Sequence, residues 1–162
     1  MNIKINFLKR TLFTLALLSF FAVSAQAQTK VKAADIRKVN LKDSQFHLRA
    51  KLTIHNIERS GARLQINRNS QFVFDNPTNG NISVKGPIFG QSKTQNLVSR
   101  NTVFEDSQTI VVDIIRENDL FQIQINQILV SFSHDSGDNI STISFNPGKS
   151  TIAIKDIAYI KK

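Results

Sequence analysis

The sequence contains no cysteine and no tryptophan, and its 162 residues include one tyrosine, three histidines and three prolines. Without cysteine the chain forms no disulfide and no zinc–sulfur site, and it has no thiolate nucleophile. A sugar-stacking surface or an aromatic belt at a membrane interface is disfavoured, because both usually draw on Trp and Tyr. A domain of this composition depends on its hydrophobic core for stability.

The first 27 residues have the pattern of a secretory signal peptide. Three basic residues precede an uncharged apolar stretch at 11–23, and residues 25–27 (Ala-Gln-Ala) match the small-x-small sequence that a signal peptidase cuts. The apolar stretch is shorter than the roughly 20 residues of a membrane-spanning helix. We therefore expect cleavage near Ala27 and a periplasmic or secreted protein of a bacterial envelope, with no transmembrane segment in the mature chain.

Removal of the leader leaves residues 28–162, a length typical of a single domain. The charge is uneven along this part, since residues 28–100 are strongly basic and residues 101–162 carry a small acidic excess. Such asymmetry is typical of a protein that meets an anionic surface or an acidic partner. It also occurs on an ordinary solvated exterior, and the charge alone does not separate the two interpretations.

The clearest local pattern runs from Phe46 to Ile54, where apolar and polar residues alternate strictly. Period-two alternation places one set of side chains on each face, so the segment predicts an antiparallel strand with one buried face. Further short β-type runs follow at a spacing typical of a sandwich or barrel. They are residues 36–41, 64–66, 72–74, 82–84, 109–115, 128–132, 143–145 and 152–154.

Turn-forming residues separate these runs, most clearly at 75–80 (Asp-Asn-Pro-Thr-Asn-Gly) and 146–149 (Asn-Pro-Gly-Lys). Residues 118–127 allow two interpretations, because their apolar residues fit both helical spacing and strand alternation. The acidic residues around Asn118 slightly favour a short helix. The sequence therefore predicts an all-β fold, an antiparallel immunoglobulin-like β-sandwich, with one short helix near 120–126.

The few histidines give no convincing catalytic or metal site. His47 and His55 lie on one face of a predicted strand, roughly 27 Å apart, which is too far to share a metal. His134, Asp135 and Asp138 are close in sequence and could form a metal or acid–base cluster. They lie in a glycine-containing turn, however, where Asp is common for backbone reasons alone.

Other catalytic patterns are also missing. Residues 148–151 (Gly-Lys-Ser-Thr) lack the earlier glycine of a phosphate-binding loop and precede a predicted strand, so Lys149 is interpreted as an exposed turn residue. The chain contains no Gly-x-Ser-x-Gly elbow for a serine nucleophile. We expect no enzymatic activity and no cofactor or metal.

A cationic strand face is the strongest candidate for a binding surface. Its residues, taken with neighbouring arginines, are His47, Arg49, Lys51, Arg59, Arg63 and Arg68. They would suit an acidic envelope protein or an anionic envelope glycolipid. Nucleic acid is disfavoured, because the stretch lacks interleaved aromatic residues on which bases could stack. The alternative is that these residues form the solvated face of an antiparallel sheet.

From residue 36 to residue 154 the order of elements resembles the late-embryogenesis-abundant type 2 domain, also called the water-stress and hypersensitive-response domain. The resemblance lies in the strand Leu48–Asn56, which ends in Asn, in the hairpin at 79–86 and in the β-rich stretch 109–115. Ile57 and Glu58 stand where that family has Pro-Asn. The resemblance implies a seven-stranded immunoglobulin-like sandwich and a non-enzymatic role in stress or envelope protection.

Together these observations predict an exported, non-enzymatic β-sandwich that acts as an interaction, structural or stress-protective module of the envelope. The alternative is a carrier of a lipid or another apolar ligand, since Phe, Ile and Leu would line a cavity between the sheets. The sequence does not distinguish a filled core from a hollow one.

Overall fold

The computed structural model describes residues 29–30, 38–40, 45–59, 61–134 and 139–161. The predicted leader, residues 1–27, lies outside the described residues, as do Asp135 and Asp138. Within the described ranges, no helix is long and apolar enough to cross a membrane.

The described residues form twelve strands and three short 3-10 helices. The strands are β1 (Thr29–Lys30), β2 (Lys38–Asn40), β3 (Phe46–His55), β4 (Arg63–Ile66), β5 (Ser70–Val73), β6 (Asn81–Gly86), β7 (Gln91–Ser99), β8 (Thr109–Glu117), β9 (Leu120–Ile125), β10 (Ile128–His134), β11 (Thr142–Asn146) and β12 (Thr151–Lys161). The 3-10 helices are Ile57–Arg59, Pro87–Phe89 and Arg100–Thr102. Each strand predicted from alternation has a counterpart here, although the family resemblance implied seven strands rather than twelve.

The strands form two six-stranded antiparallel sheets. Sheet A has the order β1-β12-β3-β8-β9-β10, and sheet B has the order β2-β11-β4-β5-β6-β7. In sheet B the strands β4 to β7 are consecutive, so three hairpins place them side by side. The predicted all-β antiparallel sandwich is confirmed.

Alternate side chains of both sheets meet in one apolar core. Phe46, Leu48 and Leu52 of β3 are fully buried, as are Leu64 of β4 and Phe72 of β5. The strict alternation of β3 is therefore confirmed, because its polar residues are left on the outer face of sheet A. Burial of each such side chain contributes about 1.5–3 kcal/mol, so the core fixes the register of the strands that contribute to it.

The short helix expected near residues 120–126 is wrong, because this segment is strand β9. Phe121, Ile123 and Ile125 alternate with half-buried residues and all three lie in the core. Positive φ angles at Asn118 and at Asn126 and its neighbour Gln127 produce tight turns at both ends of the strand. Asn118 therefore belongs to a hairpin turn instead of capping a helix.

Strand β7 has no counterpart in the sequence-based prediction. Its nine residues are exposed or half-buried, and it forms the outer edge of sheet B. The strand is polar because an edge strand buries little surface, so the apolar alternation that identifies a buried strand is missing.

Strand β10 forms the edge of sheet A, and apolar side chains on it are exposed. Ile128, Leu129 and Phe132 are each about half exposed, at 49%, 51% and 51%. A bulge between Leu129 and Ser131 interrupts its pairing with β9. Bulges of this kind twist an edge strand and make it a poorer template for pairing with another chain.

Gly86 ends β6 at a position that no other residue fits. Its φ of 111° and ψ of 169° lie in a region that is essentially restricted to glycine. A Cβ atom there would lie 2.3 Å from the backbone oxygen of Asn69 and 2.5 Å from the Cα of Ser70. Gly86 therefore lets β6 pass directly against the turn between β4 and β5.

We expect Gly86→Ala to lower the free energy of unfolding by about 3 kcal/mol or more, since backbone strain and a backbone clash add together. The matched control is Gly90→Ala, because Gly90 also has a positive φ but has open space where a Cβ would lie. The control should cost about 1 kcal/mol. Urea unfolding of both variants measures the difference, and equal losses would contradict the close approach at Gly86.

Candidate functional site

Three residues of the predicted cationic surface lie on the outer face of sheet A. His47, Arg49 and Lys51 point away from the core, because the alternate residues Phe46 and Leu48 are buried. Arg49 and Lys51 are exposed and His47 is half-buried. The structure therefore places these three side chains next to one another on one face.

A buried carboxylate on the neighbouring strand compensates part of this charge. Asp113 lies directly opposite Arg49 in the pairing of β3 with β8, and its side chain is 3% exposed. Arg49 Nε donates to Asp113 Oδ1 at 2.7 Å, and Arg49 Nη2 donates to Oδ2 at 3.3 Å. His47 Nε2 lies 2.6 Å from the same Oδ1. Arg49 and His47 thus satisfy an acid of the protein itself.

These contacts control the ionisation of Asp113. Burial alone would raise the pKa of its carboxyl group, but hydrogen bonds from Arg49 and His47 outweigh burial and hold the pKa below its usual value. The hydrogen bond to Asp113 also raises the pKa of Arg49. The carboxylate is therefore ionised at neutral pH and holds β3 and β8 together on the outer face.

The remaining predicted cations lie elsewhere. Arg63 is on β4, at a position that alternates with the buried Leu64, so it lies on the outer face of sheet B. Arg68 is exposed in the turn between β4 and β5, and the side chain of Arg59 lies outside the described part of the structure. The sandwich therefore divides the predicted surface between its two opposite faces.

The histidines do not come together. His55 Nδ1 lies 2.9 Å from the Oγ of Ser107, at the opposite end of β3 from His47. The side chain of His134 and residues 135–138 lie outside the described part of the structure, so the predicted cluster there stays a prediction. Among the described residues, no group of three His, Asp or Glu side chains is placed to hold a metal ion.

The outer face of sheet B carries an open groove of about 450 Å³. Ligand pockets of small molecules are typically 300–1,000 Å³, so the groove has a suitable size. Its lining residues come from β4, β5, β6 and β7 and from two turns. They are Gly61, Arg63, Gln71, Val73, Asn76, Pro77, Ser83, Thr94 and Lys149.

The floor of the groove lies on a row of residues that crosses four strands, of which Arg63, Val73 and Ser83 belong to the lining. Arg63 of β4 pairs with Val73 of β5, Val73 pairs with Ser83 of β6, and Ser83 pairs with Asn96 of β7. Adjacent strands are about 4.8 Å apart, so the row spans roughly 14 Å. The Oγ atom of Ser83 is buried and has no hydrogen-bond partner among the described residues. Few buried polar atoms lack a partner, which makes this hydroxyl a candidate contact for a ligand.

One wall of the groove is the hairpin turn at 75–80, which contributes Asn76 and Pro77. The turn closes with hydrogen bonds from Asn76 N to Asn81 O and from Gly80 N to Asn76 O, both 2.8 Å long. Asn76 Nδ2 also donates to Asn96 Oδ1 at 3.3 Å, which ties the turn to β7. The predicted turn at 75–80 is confirmed, and it shapes the groove.

A buried ion pair beneath the turn at 75–80 stabilises this wall of the groove. The Asp75 side chain is 3% exposed, and its Oδ2 lies 3.6 Å from Nη1 of Arg100. Burial raises the pKa of the Asp75 carboxyl group. The positive charge of Arg100 lowers this pKa and the negative charge of the nearby Glu58 raises it, so that the pKa lies above its usual value. Arg100 also donates its backbone N–H to Gly80 O at 3.2 Å, so it binds both ends of the turn.

Lys149 enters the groove from the turn that precedes β12. Gly148 has a φ of 62°, and Ser150 N donates to Pro147 O at 3.0 Å. The interpretation of this segment as an exposed turn is confirmed. Its position beside the groove was not predicted, because it follows from the pairing of β11 with β4, which are far apart in sequence. Gln71, Ser83 and Thr94 were also missed, since outward polar residues of a strand look alike in sequence.

The Asp113 cluster gives a test of the outer face of sheet A. Asp113→Asn should lower the free energy of unfolding at pH 7 by about 1–3 kcal/mol, because it weakens two charge-assisted hydrogen bonds. The folded pKa of Asp113 is lowered, so its stabilisation is complete above the unfolded pKa near 4 and is lost as the pH falls through the folded pKa. The difference from wild type should therefore shrink below about pH 4.

Urea unfolding between pH 2.5 and pH 7 measures this difference. Asp156→Asn is the control, because Asp156 is an exposed carboxylate of the same sheet and its loss should change stability by less than about 0.5 kcal/mol. A loss for Asp113→Asn that is the same at every pH would contradict the assignment.

No protein-family model and no curated protein match the sequence. Solved structures share its fold. The chain is similar to the galectin LEC-6 of Caenorhabditis elegans, with a TM-score of 0.59 and 11% identity over 85% of this chain and 94% of the galectin. It is also similar to the carbohydrate-binding module CBM66 of Bacillus subtilis, with a TM-score of 0.51 and 14% identity over 83% and 92% of the two chains.

A sialidase matches with a TM-score of 0.59 and 11% identity over 77% of this chain, which corresponds to 14% of the sialidase chain. The resemblance to the late-embryogenesis-abundant type 2 domain stays a prediction, because these structures bear on the sandwich fold alone. At such low identities the likeness extends to architecture: this chain has the two-sheet β-sandwich fold that is found in a galectin and in a carbohydrate-binding module.

Proposed function

We propose that the chain is a non-catalytic module that binds carbohydrate in the groove on sheet B. The observation that carries this proposal is the lining of the groove, which is rich in hydrogen-bonding side chains and includes Ser83, whose buried hydroxyl has no partner among the described residues. Sugar hydroxyls both donate and accept hydrogen bonds, as do the side chains of Gln71, Asn76 and Thr94. The fold that the chain shares with a galectin and a carbohydrate-binding module supports the same proposal.

Binding in this groove would rely on hydrogen bonds more than on stacking. The described lining includes no aromatic side chain, in keeping with a sequence that has no tryptophan and one tyrosine. Val73 and Pro77 offer apolar contact for the carbon-bound hydrogens of a sugar ring. The expectation that a stacking surface is disfavoured is therefore compatible with a sugar site of this kind.

The groove also suits binding without hydrolysis. Glycosidases place two carboxyl groups on either side of the scissile bond. The described lining residues of this groove include neither Asp nor Glu. We therefore retain the prediction that the protein is not an enzyme.

The proposed setting is the bacterial envelope or the extracellular space, because the first 27 residues have the pattern of an export signal. There the module would contact glycans or glycolipids of the envelope, and a structural or stress-protective role fits the same place. The alternative of a lipid carrier has less support, since the groove is polar and lies outside the apolar core.

The leader gives a direct prediction. The protein purified from its own host should begin at Gln28, because the cut is expected after Ala27. N-terminal sequencing or intact mass measurement checks this. A chain that still carries residues 1–27 in the soluble fraction would contradict export.

The sugar site is tested at Ser83. Ser83→Ala should weaken the binding of any glycan found on a glycan array by about tenfold, as expected for the loss of one hydrogen bond. Ser131→Ala is the matched control, because Ser131 is a buried serine on sheet A. Isothermal titration calorimetry measures both affinities, and equal affinities for the two variants would remove Ser83 from the site.

A further inference from the structure

We propose that the carbohydrate bound in the groove carries a negatively charged substituent, a carboxylate or a sulfate, which Arg63 and Lys149 recognise. This inference rests on the proposed function and specifies the class of ligand. Among the described lining residues, Arg63 and Lys149 are the charged ones, and both are cationic.

Arg63 differs from Arg49 in what surrounds its charge. Arg49 on sheet A is paired with the buried carboxylate of Asp113. Arg63 on sheet B makes no ion pair with a carboxylate within the described part of the chain. The guanidinium of Arg63 presents a planar fork of donors that matches a carboxylate or a sulfate.

The two cations enter the groove from the same side. Arg63 pairs with Asn146 at the end of β11, and Lys149 follows in the turn after that strand. Ser83 lies two strands from Arg63 across the floor, roughly 10 Å away. An anionic substituent would therefore lie over β4, while the sugar ring lies over Gln71, Ser83 and Thr94.

The acidic residues near this side of the groove do not cancel its positive charge. Asp75 lies beneath the hairpin turn, is almost fully buried and is paired with Arg100. Glu58 is exposed and near Asp75, and it is not part of the lining. Lys85, exposed on β6 beside Gln71, adds another positive charge to the same outer face.

Charged contacts would also compensate for the absence of aromatic stacking in the described lining of the groove. A hydrogen bond between a cation and an anion is roughly twice as strong as one between neutral groups. Neutral sugars would have only neutral hydrogen bonds and the limited apolar contact of Val73 and Pro77. An acidic sugar gains a charge-assisted contact with Arg63 and the attraction of the nearby positive charge of Lys149, so the groove should prefer it.

The test uses two matched pairs of probes: oligogalacturonate with its methyl-esterified form, and sulfated galactan with unsulfated galactan. Binding to the mature protein, which begins at Gln28, is measured by calorimetry at two salt concentrations. Arg63→Gln and Lys149→Gln should each weaken binding of the acidic probe about ten- to hundredfold. Arg68→Gln is the control, because Arg68 is an exposed arginine at the opposite end of β4 and outside the groove.

Preferential binding of one acidic probe, lost in Arg63→Gln and Lys149→Gln but kept in Arg68→Gln, supports the inference and identifies the anionic group. Equal binding of the acidic and the neutral probe of each pair overturns the inference and leaves the proposed function intact. Equal loss in all three variants overturns it as well, because attraction by net charge alone would produce that result. If neither these probes nor a glycan array yields a bound carbohydrate, the proposed function fails and the inference fails with it. Thermal unfolding of each variant establishes that it is folded.

Discussion

The packing of two apolar sheet faces against each other is the constraint on which the rest of the molecule depends. Each strand residue faces either the core or the exterior, and a shift of one position would exchange the two sets. Because Leu64 and Phe72 are buried, Arg63 and Gln71 must lie on the outer face of sheet B. The position of the groove is thus a consequence of the core.

The cationic residues on the two outer faces have different surroundings. On sheet A, Asp113 lies in the middle of β8 and accepts hydrogen bonds from side chains of β3. On sheet B, Arg63 and Lys149 are both cationic, and no carboxylate belongs to the described lining of the groove. On sheet A, Arg49 and His47 join two strands through Asp113, whereas on sheet B Arg63 makes no ion pair with a carboxylate within the described part of the chain.

Much of the fold could be predicted from local patterns, because alternation marks any strand with one buried face. Strand β3 was identified in this way and β8 from its run of β-branched residues, whereas β7 was missed because seven of its nine residues are exposed. The error at β9 arose because Leu120, Phe121 and Ile125 also fit helical spacing; strand pairing with β8 and β10 decided between the two. Sequence spacing carries no information about that pairing.

The site was harder to predict than the fold. Arg63 was named, but it was grouped with Arg49 because the two are close in sequence. The sandwich places them on opposite faces. Ser83 and Lys149 reach the groove through pairings between β5 and β6 and between β11 and β4, and such contacts depend on tertiary structure.

The polar edge strand β7 has a consequence for how this protein can diverge. It contributes Thr94 to the lining of the groove, yet most of its side chains have no share in the core. Substitutions there can change the shape and hydrogen bonding of the groove at little cost in folding. The chemistry of the groove is therefore free to vary along one exposed edge while the interior stays the same.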